Sequence, residues 1–240
     1  MAAGALPRPA PNAGIALFAK APVPGRVKTR LTPALGPVQA ARVARALLDL
    51  TLASIVPAVP AQWTLFLDGP ADEALRAAAR AYGLDIEPQA AGDLGERLAA
   101  AFDVLRSRGA ARTLAIGADS PTLDPARVRD AIESLEAADV VLGPTEDGGY
   151  YLVGLRDARR EIFRDIPWST DAVLAATLDR ARKARLTVRL LAAWYDVDGP
   201  EDLGRLREEL SEQGREERGG SGAAPAAAAA KTLLGLLEAL

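Results

Sequence analysis

Short apolar runs alternate along this chain with stretches whose apolar residues recur every three or four positions. Gly14 to Ala19 (GIALFA) is uninterrupted and predicts a buried first strand. Pro37 to Val56 carries Val43, Leu47, Leu50 and Ile55 near one helical face and predicts a helix. Trp63 to Leu67 predicts a second strand, and Ala71 to Tyr82 a helix that Gly83 ends from just past its C-cap. Leu84 to Glu87 is a short third strand and Leu94 to Arg106 the next helix. Arg112 to Gly117 (RTLAIG) is a further strand. Asp124-Pro125 then opens a helix, with Asp as N-cap and Pro at the first helical position. Val140 to Leu142 and Tyr150 to Leu155 predict two strands, and Ser169 or Thr170 caps a helix to about Ala184. Leu186 to Leu191 is the last strand, and Pro200 starts a helix to about Leu210.

Strands that alternate with helices predict a single three-layer α/β domain, Rossmann-like, with a mostly parallel central sheet covered on both faces. Ligands of such sheets bind outside the carboxyl ends of the strands. The loops after GIALFA and after RTLAIG both leave from that edge. The domain is expected over 14–211. The Pro/Ala-rich residues 1–13 are expected to be a disordered lead-in, and 212–230, charged and then Gly/Ser- and Ala-rich, a linker. Residues 231–240 (KTLLGLLEAL) predict a leucine-rich helix, with Leu233, Leu236, Leu237 and Leu240 at helical spacing. Such a stripe is expected to dock on its own domain or on a second copy, which makes a homodimer one expected arrangement.

The bulk numbers narrow the chemistry. The 240 residues fit one large domain, and the formal net charge is −3. A nucleic-acid partner is not expected, because the basic excess it would need is missing. Histidine and cysteine are both absent. That excludes Ser-His-Asp and Cys-His catalysis, disulfides and zinc-thiolate sites. Chemistry must rest on carboxylates, hydroxyls, Lys, Arg and backbone groups, a set that favours hard cations such as Mg²⁺ or Mn²⁺. No run of apolar residues is long enough to cross a membrane. The N-terminus lacks the charged-then-apolar order of a secretory signal, so a cytoplasmic location is expected.

Four stretches carry candidate chemistry. Lys20 to Arg30 (KAPVPGRVKTR) holds Lys20, Arg26, Lys28 and Arg30 on a loop shaped by Pro22, Pro24 and Gly25. It suits a di- or triphosphate, or else it is a solvated basic loop. It is neither a Walker A loop nor a dinucleotide fingerprint. In Gly117 to Pro121 (GADSP), Asp119 sits just past a buried strand, as a metal ligand or as a turn former. In Gly143 to Tyr151 (GPTEDGGYY), Glu146 or Asp147 could act as a base and Gly148-Gly149 allow close backbone approach to a ligand. The same residues also read as a hairpin turn. Tyr150 and Tyr151 point to opposite sheet faces, so at most one is expected to line a site. In Trp194 to Asp202 (WYDVDGPED), Asp196 and Asp198 share one side of an extended segment. Asp198 is a second metal candidate beside Asp119, or else the cap of the next helix. Trp168 could wall an acceptor pocket or sit in the core, and Arg97 could reach a phosphate or form a surface ion pair.

Taken together and in this order, FAKAPVPGRVKTRL, GADSP, GPTEDGGYYLVG and DVDGPEDL resemble a bacterial glycosyltransferase-like family of the GT-A, nucleotide-diphospho-sugar transferase fold. The likeness spans about Gly14 to Leu210. The basic loop and the DVDGPEDL ending are also similar to molybdenum-cofactor and 2-phospholactate guanylyltransferases. The resemblance implies that Lys20, Lys28 and Arg30 hold nucleotide phosphates and that Asp119 and Asp198 bind Mg²⁺ or Mn²⁺; Gly25, within the same loop, is a further phosphate-site candidate. This loop is Pro-rich where the superfamily's is Gly-rich.

The resulting expectation is a metal-dependent transferase, a glycosyltransferase with a nucleotide-sugar donor and a small-molecule acceptor. Glu146 or Asp147 would serve as base, with Gly148, Gly149, Tyr150 and Trp168 on the acceptor side. The alternative is a nucleotidyltransferase that joins an NTP to a phosphorylated or phosphonate acceptor and releases pyrophosphate, chemistry that needs no histidine. A third reading is a non-catalytic nucleotide-binding protein.

Overall fold

A computed structural model describes residues 12–216 and 224–240. Its strands are β1 (Ala13–Lys20), β2 (Gln62–Asp68), β3 (Asp85–Pro88), β4 (Arg112–Gly117), β5 (Val140–Pro144), β6 (Tyr150–Leu155) and β7 (Val188–Leu190). Its helices are α1 (Thr32–Ser54), α2 (Glu73–Ala81), α3 (Leu94–Ser107), α4 (Pro125–Ser134), α5 (Val173–Lys183), α6 (Pro200–Glu216) and α7 (Ala224–Glu238). The seven strands form one sheet in the order β3-β2-β1-β4-β6-β5-β7. β1 pairs in parallel with β2 and β4, β2 with β3, and β5 with β7, whereas β6 runs antiparallel to both β4 and β5. The expected single α/β domain with a mostly parallel sheet is therefore what the chain forms.

The alternation of side chains along the strands builds two cores. Ile15, Leu17, Leu65, Leu67, Leu114 and Ile116 face α1, α2 and α4, and bury Leu52, Leu75 and Val128. Ala16, Phe66, Ala115, Val140, Leu142 and Val153 face α3 and α5, and bury Leu98, Phe102 and Leu105. Helix ends follow local chemistry. Asp72, Asp93 and Asp124 accept from backbone amides of α2, α3 and α4, and Asp93 with Glu96 completes a capping box.

Several boundaries differ from expectation. α1 starts at Thr32, but Gly36 (φ 76°) breaks it just before Pro37, so the long straight segment begins where the periodicity put it. Thr170 accepts from the Ala172 amide a little before α5, which itself starts at Val173 without a side-chain cap. The 212–230 linker is corrected where it is described: α6 continues to Glu216, and Ala224 to Ala230 open α7 rather than linking to a helix that starts at 231. Alanine is the strongest helix former, and packing against the domain extends the helix through it. The remainder of that linker, 217–223, and residues 1–11 of the lead-in lie outside the described residues.

α7 docks on its own chain. Leu233 and Leu237 are buried against Val43, Leu47 and Leu50 of α1, and against Leu206 and Leu210 of α6. Among the described residues, no helix is long and apolar enough to cross a membrane.

Candidate functional site

A cavity of about 710 Å³ opens at the carboxyl ends of β1 and β4. It is bordered by Lys20, Lys28, Arg30, Asp119 and Asp198, and by Asp93, Leu94, Tyr150 and Trp168. Its position follows from the topology, because β1 and β4 are adjacent parallel strands whose outgoing loops must share one edge.

The basic loop is fixed from within. Val27 and Leu31 are buried anchors on either side of Lys28, and the Leu31 amide donates to the Lys28 carbonyl at 2.9 Å. Lys28 adopts a left-handed backbone (φ 46°), a strained conformation for a residue with a Cβ. Its ammonium lies 2.6 Å from Asp119 Oδ1 and 3.0 Å from Asp198 Oδ1, and donates to the Val197 carbonyl at 2.6 Å. Burial opposes the charged form, but Asp119 and Asp198 outweigh it and hold the Lys28 pKa above its ordinary value. Arg30 stays exposed, with Nη1 3.6 Å from Asp198 Oδ2.

Asp119 and Asp198 come from distant loops that the backbone registers, since the Val197 amide donates to the Asp119 carbonyl at 2.8 Å. Asp124 caps α4, which leaves the Asp119 carboxylate free for the site. The Asp198 carboxylate meets Lys28 and Arg30 rather than the first turn of α6, while Asp202 in that turn accepts from the Asp198 and Gly199 amides at 2.8 and 2.7 Å. Asp196, on the same side of the segment as Asp198, is mostly buried and accepts from the Ser120 hydroxyl. Burial first, then the neighbouring Asp119 and Asp198, push its pKa up to about 7.

These groups fit a divalent cation on donor chemistry. Asp119 and Asp198 are each about half exposed, and with the Val197 carbonyl they already surround one cation, the Lys28 ammonium, with hard oxygens. Among the described residues no cluster of three or more ligating side chains forms a self-sufficient cage. That pattern suits Mg²⁺ or Mn²⁺, which one or two carboxylates hold together with water and substrate phosphates.

The Gly143 to Tyr151 stretch is the main correction. It forms the hairpin between β5 and β6, closed by Thr145 N to Gly149 O at 3.1 Å. Glu146 turns outward to an ion pair with Arg205 of α6 at 2.9 Å. Asp147 accepts from the Thr145 hydroxyl at 2.6 Å and from the Gly149 amide at 3.2 Å, which makes it a turn former. Gly148 (φ 89°) is required for packing, since a Cβ there would run into the Asp171 carbonyl oxygen; one at Gly149 would lie 2.9 Å from Thr145 Oγ1. None of these four residues borders the cavity, and Gly25 does not either; its φ of 78° serves an exposed turn. A one-dimensional reading cannot separate glycine for a ligand from glycine for a neighbouring backbone.

Tyr150 and Trp168 do border the cavity and meet edge to face, with ring centroids 6.3 Å apart. Gly95 lets the Trp168 segment sit against α3, since a Cβ there would be 2.6 Å from the Phe163 carbonyl. Tyr151 borders the cavity as well, from the opposite face of β6, with its hydroxyl donating to the Ala192 carbonyl at 3.2 Å. Arg97 is spoken for, donating to Gly92 O, Asp68 and Gln89. Sequence reasoning missed Asp93, Gln89 and Asp202. The capping pattern of Asp93 with Glu96, and Asp202 in the first turn after Gly199-Pro200, were visible signals for two of them.

A family model described as "Uncharacterized protein conserved in bacteria (DUF2064)" matches residues 51–170, a span that includes Asp119 and the β5–β6 hairpin. No curated protein matches the sequence. Among solved structures, a protein of Desulfovibrio desulfuricans G20 provisionally named a nucleotide-diphospho-sugar transferase is 29% identical, with 95% of this chain and 97% of that one covered and a TM-score of 0.76. The 4-diphosphocytidyl-2C-methyl-D-erythritol synthase of Anaerococcus prevotii DSM 20548 shares the fold at 12% identity, covering 83% and 98% of the two chains, with a TM-score of 0.55. CMP:2-keto-3-deoxy-manno-octonic acid synthetase complexed with CTP shares it at 16% identity, covering 84% and 99%, with a TM-score of 0.50.

Proposed function

This chain belongs to the DUF2064 family and is a transferase of the nucleotide-diphospho-sugar type of fold, and we propose that it moves a glycosyl group from a nucleoside-diphosphate sugar to a small hydroxylated acceptor. The observation that carries this reading is one cavity that is bordered both by a charged cluster and by an aromatic pair. Lys28 and Arg30 meet Asp119 and Asp198 in the cluster, Tyr150 and Trp168 form the pair, and Lys20 borders the same cavity. Lys20 and Arg30 bind the diphosphate, and Asp119 and Asp198 take Mg²⁺ or Mn²⁺. A divalent cation held there would supply charge neutralisation to the diphosphate. Tyr150 and Trp168 present ring surface to a sugar. Asp93 is the bordering carboxylate outside the Lys28 cluster and orients the acceptor hydroxyl, in place of Glu146 and Asp147.

A second reading, nucleotidyl transfer with release of pyrophosphate, is favoured by the synthases and synthetases that share the fold. The acceptor side supports the first, because Tyr150 and Trp168 border the cavity and the stretch from Gly143 to Leu155 carries no cation for a phosphorylated acceptor.

The test has two arms. A thermal-shift panel of nucleotides and nucleotide sugars, with and without Mg²⁺ or Mn²⁺, should show metal-dependent stabilisation by a nucleotide sugar, about 2.7 kcal/mol at a hundredfold excess over Kd. Turnover should then release a nucleoside diphosphate. Pyrophosphate release from an NTP and a phosphorylated acceptor, with no nucleotide sugar consumed, would replace this reading with nucleotidyl transfer.

A further inference from the structure

The oxygens that suit a divalent cation already surround one of the chain's own cations. Lys28 Nζ contacts Asp119 Oδ1, Asp198 Oδ1 and the Val197 carbonyl within 3.0 Å, and its side chain is only 5% exposed. The ammonium donates to Val197 O and Asp198 Oδ1 and is ion-paired with Asp119, so in this arrangement it presents little to a phosphate. Its neighbours Val27 and Leu31 are buried, and its own backbone is left-handed, so the loop is built to aim this side chain inward. Arg30 and Lys20 differ, because both remain exposed.

We propose that Lys28 is a resident cation that closes the Asp119–Asp198 pair until nucleotide phosphates draw its ammonium away, so that the divalent cation enters with the phosphates rather than ahead of them. The proposal rests on the assignment of the metal to Asp119 and Asp198 under the proposed function. Its physical basis is like-charge exclusion. A divalent cation bound to the same oxygens would lie within a few ångströms of the ammonium, and two cations at that spacing repel strongly in a partly buried site. A diphosphate changes this balance by offering the ammonium equally short charged hydrogen bonds just outside the pair. The vacated carboxylates and the phosphate oxygens then form a joint oxygen set for the metal. Linkage makes the effect reciprocal, so metal tightens nucleotide binding by the factor by which nucleotide tightens metal binding.

The test is a calorimetric titration with Mn²⁺ alone, no nucleotide present. The parent should bind weakly. Lys28→Met keeps much of the apolar stem but lacks the charge, and it should bind Mn²⁺ on the order of tenfold more tightly or better. Adding Asp119→Asn to Lys28→Met should abolish the gain. Lys28→Gln serves as the second variant if the Met substitution does not fold. On the unmodified protein, Mn²⁺ should bind much more tightly when UDP is present than without it. Equal Mn²⁺ affinity in parent and Lys28 variants, or full-strength Mn²⁺ binding by the parent without UDP, overturns the proposal. Failure of the metal assignment itself looks different: nucleotide binding by the parent would then be independent of metal, and no variant would bind Mn²⁺.

Discussion

The backbone amide of Val197 donates to the carbonyl of Asp119 at 2.8 Å, and together with the Ser120 hydroxyl bond to Asp196 it registers the loop after β4 against the segment before α6. That registration brings the Asp119 and Asp198 carboxylates to a single ammonium, although neither loop carries a signal for the other. Asp119→Asn preserves that backbone bond and removes one charge. The variant is expected to fold and to lose metal-dependent nucleotide binding. Calorimetry with a nucleoside diphosphate, with and without Mg²⁺, measures this, and unchanged metal dependence would remove Asp119 from the site.

The exposed cations of the basic loop are expected to act on binding alone. Arg30→Ala and Lys20→Ala should each weaken nucleoside diphosphate binding by about 1.5–3 kcal/mol, the range for a hydrogen bond to a charged group. Melting temperatures should hardly move, since neither side chain is buried. If both variants bind as the parent does, the loop is a solvated surface.

The β5–β6 hairpin separates structural from functional roles. Glu146→Gln breaks an exposed ion pair with Arg205 and should leave turnover unchanged, with a stability change below about 1 kcal/mol. Gly148→Ala should instead destabilise by about 1–3 kcal/mol or more, because φ is 89° and the added Cβ meets the Asp171 carbonyl. A denaturation midpoint for each variant, alongside turnover, checks both. Loss of turnover in Glu146→Gln with normal stability would return a catalytic role to Glu146.

The C-terminal helix is expected to be part of the folded unit. Leu237→Ala should cost about 2–5 kcal/mol, because Leu237 is 5% exposed in the cluster with α1 and α6. Truncation before Ala224 should lower the melting temperature and promote association through the uncovered face of α1. Identical melting and identical light-scattering mass after truncation would show that α7 contributes nothing.

Stability should also respond to acid through Asp139. Hydrogen bonds from the Thr187 hydroxyl and amide, and then the Arg156 charge, hold its pKa below the ordinary carboxylate value. A depressed folded pKa means that the contribution is present above the unfolded pKa of about 3.9 and is lost as pH falls through the lower folded value. The advantage of the parent over Asp139→Asn should therefore be full at neutral pH and shrink below about pH 4. Urea midpoints across that range provide the measurement, and a difference that stays constant with pH would rule out a role for the charge.

By itself the sequence determined the α/β class, most strand positions, the Asp124 cap, the absence of histidine and thiol chemistry, and the two loops that carry the site. Each of these is a local consequence of residue type and spacing: apolar runs bury, Asp before Pro caps, and parallel strands send their loops to one edge. The tertiary structure alone decided how shared motifs divide their labour. Asp198 joined Asp119 because Lys28 and Arg30 hold its carboxylate on that side. Glu146 and Asp147 left the site because Arg205 and the Gly149 amide hold them elsewhere. Leu233 and Leu237 docked α7 on α1 and α6, and the ammonium of Lys28 settled between two aspartates rather than in solvent. Those outcomes depend on partners far away in the chain, and local periodicity and propensity carry no record of which distant groups will compete for the same hydrogen bond.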